Sequence, residues 1–195
     1  MFTGIVAAVG RIAKVVPAPG GVRLQIDTAG LDMDDVALGD SIAVSGVCLT
    51  VVAFDRAHFE AEASQATLSV VAGFAAGLPV NLEKALRLAD RLGGHLMTGH
   101  VDGSGTVSRF DAVGDNRRLV VEAPPAIARY IARKGSVAVD GVSLTVNAVD
   151  GDRFEVNLIP HTLGTTTLQN LQPGAKVNLE VDLLARYVER LNESR

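Results

Sequence analysis

The chain has 195 residues, 48% hydrophobic and 21% charged, with a formal net charge of −4. That is ordinary for a soluble globular protein of one domain or two, and it argues against a nucleic-acid partner, because phosphate binding needs a basic cluster that is missing here. The single cysteine, Cys48, rules out an internal disulfide; with no run near the roughly 18 apolar residues of a membrane helix and no basic start of a signal peptide, the sequence predicts a cytoplasmic protein away from membranes.

Taken in chain order, short runs rich in β-branched residues predict strands at 22–26, 41–44 and 47–54, then at 118–122 and 137–149 with a glycine break. Gly39-Asp40 and Gly77-Leu78-Pro79 read as turns in the first half, as do Lys134-Gly135 and Pro173-Gly174 in the second. Turns spaced about 8–12 residues apart predict small closed barrels and not a parallel α/β sheet. Arg117-Arg118 reads as a solvated strand edge. Pro124-Pro125 predicts a helix start with the helix running on through 126–133, and its basic residues in the last turn. From about residue 183, Leu183, Leu184, Tyr187, Val188 and Leu191 form an apolar stripe on a terminal helix. Such a stripe either docks on its own domain or packs against copies of itself.

The chain repeats itself. Ser45-Gly46-Val47-Cys48-Leu49-Thr50-Val51 returns as Asp140-Gly141-Val142-Ser143-Leu144-Thr145-Val146, an offset of 95. Thr3-Gly4-Ile5-Val6 returns as Thr98-Gly99-His100-Val101, Phe59-Glu60 as Phe154-Glu155 and Thr67-Leu68 as Thr162-Leu163, all at the same offset of 95. Val80-Asn81-Leu82-Glu83 returns as Val177-Asn178-Leu179-Glu180 at 97, so the second copy carries a two-residue insertion. One shared register over this length predicts two homologous domains, 1–92 and 93–185, followed by a tail, 186–195, that continues the terminal helix.

Metal and cofactor motifs are missing. His95 and His100 are five apart with no acidic or thiol partner at ligand spacing. No dinucleotide fingerprint, P-loop or nucleophile elbow is present. What remains is Cys48 with Thr50, and Ser143 with Thr145, each pair on one side of a strand. Lining a pocket, they suit a ligand rich in carbonyls, ring nitrogens and hydroxyls; lining none, they belong to ordinary strands, with Cys48 a small core residue. His95 and His100 supply a proton-transfer group near neutral pH, and His100 occupies the slot that Ile5 fills in the first repeat.

Along essentially its whole length the chain resembles the riboflavin synthase family. The resemblance rests on Met1-Phe2-Thr3-Gly4-Ile5-Val6, Gly46-Val47-Cys48-Leu49-Thr50-Val51, Gly93-Gly94-His95-Leu96-Met97-Thr98-Gly99-His100-Val101, Lys134-Gly135, Asp140-Gly141-Val142-Ser143-Leu144-Thr145-Val146 and Leu158-Ile159-Pro160-His161-Thr162-Leu163. It implies an all-β fold of two six-stranded Greek-key barrels with a C-terminal α-helix, assembled through that helix as a homotrimer. Each barrel would bind one 6,7-dimethyl-8-ribityllumazine. One would give a four-carbon unit to the other, yielding riboflavin and 5-amino-6-ribitylamino-uracil without metal or redox cofactor. The active site would form between the first barrel of one subunit and the second barrel of a neighbour.

Carried over residue by residue, the resemblance places Gly4, Ile5, Val6, Val47, Cys48, Leu49, Thr50, Glu62, Ala63, Ser64, Gln65, Ala66 and Thr67 at the first site. It places Gly99, His100, Val101, Lys134, Ser143, Leu144, Thr145, Asn157, Leu158, Ile159, Pro160, His161 and Thr162 at the second. His100, Cys48, Ser41 and Phe2 are the residues expected to affect turnover, His100 in proton transfer and Cys48 and Ser41 in positioning the accepting lumazine or its water. Two departures stand out: Ala66 where the family usually has glutamate, and Ser45 where asparagine is common. The competing reading is a non-catalytic carrier of the lumazine-protein type, which lacks the Gly-Gly-His-Leu-x-x-Gly-His segment and the second Ser-Leu-Thr. A flavin-using oxidoreductase would need a nicotinamide-binding domain, for which no residues remain. Association with lumazine synthase is left open.

Overall fold

Alternation of apolar and polar residues decides which way each strand faces. In β4 (Val47–Phe54) Val47, Leu49 and Val51 are buried, while Cys48 and Thr50 point outward. β10 (Val142–Asp150) does the same with Val142, Leu144 and Val146 inside and Ser143 and Thr145 outside. The computed structural model describes residues 1–193; residues 194 and 195, the end of the predicted tail, lie outside the described residues.

The first half forms β1 (Ala8–Ala18), β2 (Gly21–Asp27), β3 (Ser41–Val44), β4, β5 (His58–Ser64), helix α1 (Gln65–Leu68) and β6 (Pro79–Lys84). The second forms β7 (Gly103–Val113), β8 (Asn116–Glu122), α2 (Pro125–Ala128), β9 (Ser136–Val139), β10, β11 (Arg153–Leu158), α3 (Pro160–Thr165), a 3-10 turn (Thr167–Asn170) and β12 (Lys176–Val181), followed by α4 (Leu183–Asn192). All strand pairs are antiparallel, and each set of six closes on itself, in the order β1-β2-β5-β4-β3-β6 and β10-β11-β8-β7-β12-β9. Register shifts fall at matching places, between Ile12 and Lys14 and between Val107 and Arg109, and again between Val51 and Ala53 and between Val146 and Ala148. Bulges of this kind sharpen strand twist and let a short sheet close.

Each barrel holds its own apolar core, and a third cluster of Phe2, Ala43, Met97 and Ala138 sits between them. There the repeats meet back to back. A Cβ on Gly46 would stand 2.8 Å from the Gly141 nitrogen, so neither turn tolerates a side chain. Two asparagines cross the junction symmetrically. Asn81 Nδ2 donates to Asp140 O at 2.8 Å and Asn178 Nδ2 to Ser45 O at 2.9 Å, while their Oδ1 atoms accept from Thr167 N and Ala72 N.

Two expectations are corrected here. The helix predicted through residue 133 ends at Ala128, because the hydrogen bonds then tighten to three-residue steps (Tyr130 N to Ile127 O, Ile131 N to Ala128 O) and Ile131 turns into the core. Arg117-Arg118 is not at an edge: β8 lies between β7 and β11, Arg118 pairs with Asp111 at 3.0 Å, and Arg117 lies over the Phe110 ring. The terminal helix α4 starts where expected, its first turn capped by Asp182. Leu184, Tyr187, Val188 and Leu191 remain 58–73% exposed, so the stripe does not dock on its own barrel. No helix among the described residues is long and apolar enough to cross a membrane.

Candidate active site

The outward positions of β3 and β4 make one polar face on the first barrel. Ser41 pairs across the ladder with Thr50, and Ala43 with Cys48. The offset of 95 maps this onto the second barrel, where Ser136 pairs with Thr145 and Ala138 with Ser143. Ser136 was not singled out from the sequence, although Ser41 at that offset points straight to it. Outward Glu62 and Ser64 of β5, then Gln65, Ala66 and Thr67 of α1, border the first face; Asn157 of β11, then Ile159, Pro160, His161 and Thr162, border the second. Ala63, Val47 and Leu49 point into the first core, and Leu158 and Leu144 into the second, so these support the faces from behind. Ser41 also borders a cleft of about 450 Å³ whose charged lining includes Asp32, Asp35, Lys84 and Arg87.

Each face is completed by a segment from the other half. Gly4 and Gly99 have φ near +77°, and each packs tightly against the other repeat. Gly99 O accepts from Cys48 N at 2.8 Å, and Gly4 O accepts from Ser143 N at 2.9 Å. A Cβ on Gly99 would lie 2.6 Å from Cys48 Cβ, and one on Gly4 would lie 2.5 Å from Ser143 Cβ. Val101 packs against the first core and Val6 against the second. The division by halves is therefore exchanged: Gly4, Ile5 and Val6 lie on the second barrel, and Gly99, His100 and Val101 on the first. Straps ahead of β1 and β7 are long enough to cross the junction, which no strand pattern reveals.

The exchange brings the exposed imidazole of His100 to the face of Cys48, while Ile5 goes to that of Ser143. Arg186 of α4 holds the base of the His100 strap, bonding His100 O at 3.2 Å and Asp102 Oδ1 at 2.7 Å. Asp102 has its carboxyl pushed up by burial, which the Val181 amide and Arg186 only partly offset.

Behind the second face stands His95. Its Nδ1 is 2.7 Å from Ser143 Oγ, and its Nε2 is buried without a hydrogen-bond partner. Burial holds its pKa below the ordinary histidine value despite Asp182 and Glu180 nearby, which keeps the ring neutral. A neutral imidazole beside a hydroxyl can take or relay a proton. Lys134 has φ +68° at the position where the first repeat uses Gly39, φ +93°; their amides donate to Val146 O and Val51 O respectively. A lysine kept in a conformation suited to glycine puts a cation at a position where the first repeat has none.

Phe2, expected to affect turnover, is fully buried between the barrels and bonded by its backbone to Met97. It reaches neither face, so any effect passes through the strap it anchors. Among the described residues no group of three or more His, Cys, Asp or Glu is placed to hold a metal ion.

The lumazine binding domain family matches twice, over residues 3–85 and 98–182. Similar curated proteins include the riboflavin synthase of Brucella abortus (strain 2308), 46% identical over 98% of both chains, and that of Photobacterium phosphoreum, 45% identical over 98% of this chain and 88% of the relative. The riboflavin synthase of Bacillus subtilis (strain 168) is 36% identical over 97% of this chain and 89% of its own. Among solved structures, LumP complexed with riboflavin superposes with a TM-score of 0.85 and LumP complexed with 6,7-dimethyl-8-(1'-D-ribityl) lumazine with 0.83, each at 26% identity, covering 93% of this chain and 99% of the other.

Proposed function

The chain belongs to the lumazine-binding domain family, and from that premise we propose that it works as a riboflavin synthase, dismutating two 6,7-dimethyl-8-ribityllumazine molecules into riboflavin and 5-amino-6-ribitylamino-uracil. The observation that carries this reading is the pair of like faces, each built on a strand of one repeat and completed by a strap of the other. Two copies of one substrate call for two like sites, and holding reactants in register supplies several kcal/mol of the barrier.

The faces are open, and Thr50 and Thr145 are exposed on them. We take the first face of one subunit to close on the second face of a neighbour in a cytoplasmic homotrimer assembled through α4. On the first face, Cys48, Ser41 and Thr50 position one lumazine beside His100. On the second, Ser143 with His95 behind it and Lys134 at the rim hold the other. Removal of a proton from a methyl group needs a base, a role we assign to His100 or the His95–Ser143 pair. The repeat boundary at 92/93 falls between β6 and β7, so a cut there would leave each barrel without the strap it uses.

Purified protein mixed with 6,7-dimethyl-8-ribityllumazine should produce riboflavin absorbance with one riboflavin formed per two lumazines consumed. Tight binding without conversion would overturn the enzyme reading and point to a carrier.

A further inference from the structure

Two buried carboxylates hold the straps. Glu83 on β6, 8% exposed, accepts from Thr3 N at 2.7 Å, Thr3 Oγ1 at 2.6 Å and Gly4 N at 3.0 Å. Glu180 on β12, 3% exposed, accepts from Thr98 N at 2.7 Å, Thr98 Oγ1 at 2.8 Å and Gly99 N at 2.9 Å. Three donors converge on each carboxylate, using both oxygens. The threonine hydroxyls in turn accept from Ile5 N and His100 N, so the residue that reaches each face is tied to the same clamp.

Each clamp and the face it serves lie on different barrels. Gly99 gives its N–H to Glu180 of the second barrel and takes the Cys48 N–H of the first on its carbonyl. Gly4 gives its N–H to Glu83 of the first barrel and takes the Ser143 N–H of the second. One residue thus separates each carboxylate from the opposite barrel. We propose that Glu180 and Glu83 are crossed positioning residues: Glu180, in the second barrel, sets the first barrel's ligand face, and Glu83, in the first barrel, sets the second's. The description of these faces as lumazine sites rests on the function proposed above; the crossing does not.

An amide has one acceptor oxygen and turns its NH2 against a backbone N–H, so glutamine cannot serve all three donors. Cys48, the only cysteine, reports on the first face through its rate of reaction with 5,5′-dithiobis(2-nitrobenzoate). Glu180→Gln should speed that reaction about fivefold or more, the factor expected when a buried hydrogen bond is lost. Glu83→Gln, though in the barrel that carries Cys48, should leave the rate within about twofold. With Cys48→Ser and Ser143→Cys combined, the pattern should invert. Equal effects of the two glutamines, or an effect of Glu83→Gln alone on Cys48, would overturn the proposal.

Should Glu180→Gln fail to fold, Thr98→Val removes one donor and leaves the carboxylate. It should speed Cys48 labelling about twofold or more, and Thr98→Ser should restore the parent rate; no effect of Thr98→Val would overturn the clamp. Riboflavin added to the parent protein should slow Cys48 labelling. A crossed pattern indifferent to riboflavin would sink the lumazine reading and leave the clamps standing.

Discussion

Replacing Asp140 by the residue that its repeat partner uses, serine, should stabilise the protein above neutral pH. Ser45 and Asp140 occupy matching turns, with φ of 46° and 47°. Each side chain accepts the amide of the asparagine on the neighbouring strand, Asn81 N to Ser45 Oγ at 3.2 Å and Asn178 N to Asp140 Oδ1 at 2.7 Å. Serine thus meets the same backbone demand, and what differs is charge. Burial pushes the Asp140 carboxyl up from 3.8 to about 7, against which the Asn178 bond does little. The folded protein therefore keeps a proton that the unfolded chain releases, so stability is full below about pH 4 and falls as pH rises through 7. At 1.36 kcal/mol per unit the ceiling is about 4 kcal/mol. Asp140 borders a cleft of about 360 Å³ and is itself half-buried, so water reaches it; this trims the figure to about 2 kcal/mol, or roughly 4–8 °C in Tm. Urea and thermal unfolding of parent and Asp140→Ser, at one protein concentration, measure the gap directly. It should be about 2 kcal/mol in favour of the variant at pH 8 and under about 1 kcal/mol at pH 5. A gap that does not change with pH, or a variant less stable than the parent at pH 8, would refute the reasoning.

Gly99→Ala places a methyl 2.6 Å from Cys48 Cβ on a backbone with φ +77°, and should cost about 2 kcal/mol or more in urea unfolding and sharply lower turnover. His95→Ala should cut riboflavin formation about tenfold or more, and His95→Asn, which can bring a polar atom back toward Ser143, should recover part of it; equal rates for the two would dismiss the hydrogen bond. Because burial lowers the His95 pKa, the unfolded chain binds that proton more readily. The stability contributed by the neutral ring should be present above about pH 6.5 and fade as pH falls through that value, a slope that His95→Asn should flatten in pH-dependent melts. Glutamates at Leu184 and Leu191 put charge into the exposed α4 stripe and should shift the assembly toward monomers in sedimentation velocity, with the barrels still folded.

The barrels were legible because short β-branched runs are separated by turns at regular spacing, and because the offset of 95 copies that pattern. Closure was legible in the turn spacing and the terminal helix in its three- and four-residue apolar steps, whereas the bulges left no signal. Three parts of the site were hidden. The straps carry no strand signature, so the exchange of Gly4 and Gly99 between barrels depends on tertiary contacts. Phe2 reads as a reactive-site aromatic from its motif, yet packing alone places it between the cores. Glu83 and Glu180 did leave a signal: an acidic residue twice follows a Val-Asn-Leu run, and that run is buried in both strands. A carboxylate there must be paired, and Thr3 and Thr98, at the shared offset of 95, supply the donors.

The exchange also decides how the unmatched residues of the two repeats are shared between the two faces. Had each strap stayed with its own barrel, His100 would stand beside Ser143 and Lys134, and Ile5 beside Cys48. Crossing instead gives the first face a thiol and an exposed imidazole, and the second a cation, a hydroxyl and a neutral imidazole behind it. The proposed dismutation needs one molecule to lose protons and give up carbon while the other accepts it, so matched shape would be combined with unmatched chemistry. The repeated residues, Thr3 with Thr98, Glu83 with Glu180 and Asn81 with Asn178, supply the matched shape. The substituted ones, Cys48 for Ser143, Ile5 for His100 and Gly39 for Lys134, supply the difference, and Lys134 does so in a backbone conformation that disfavours any side chain.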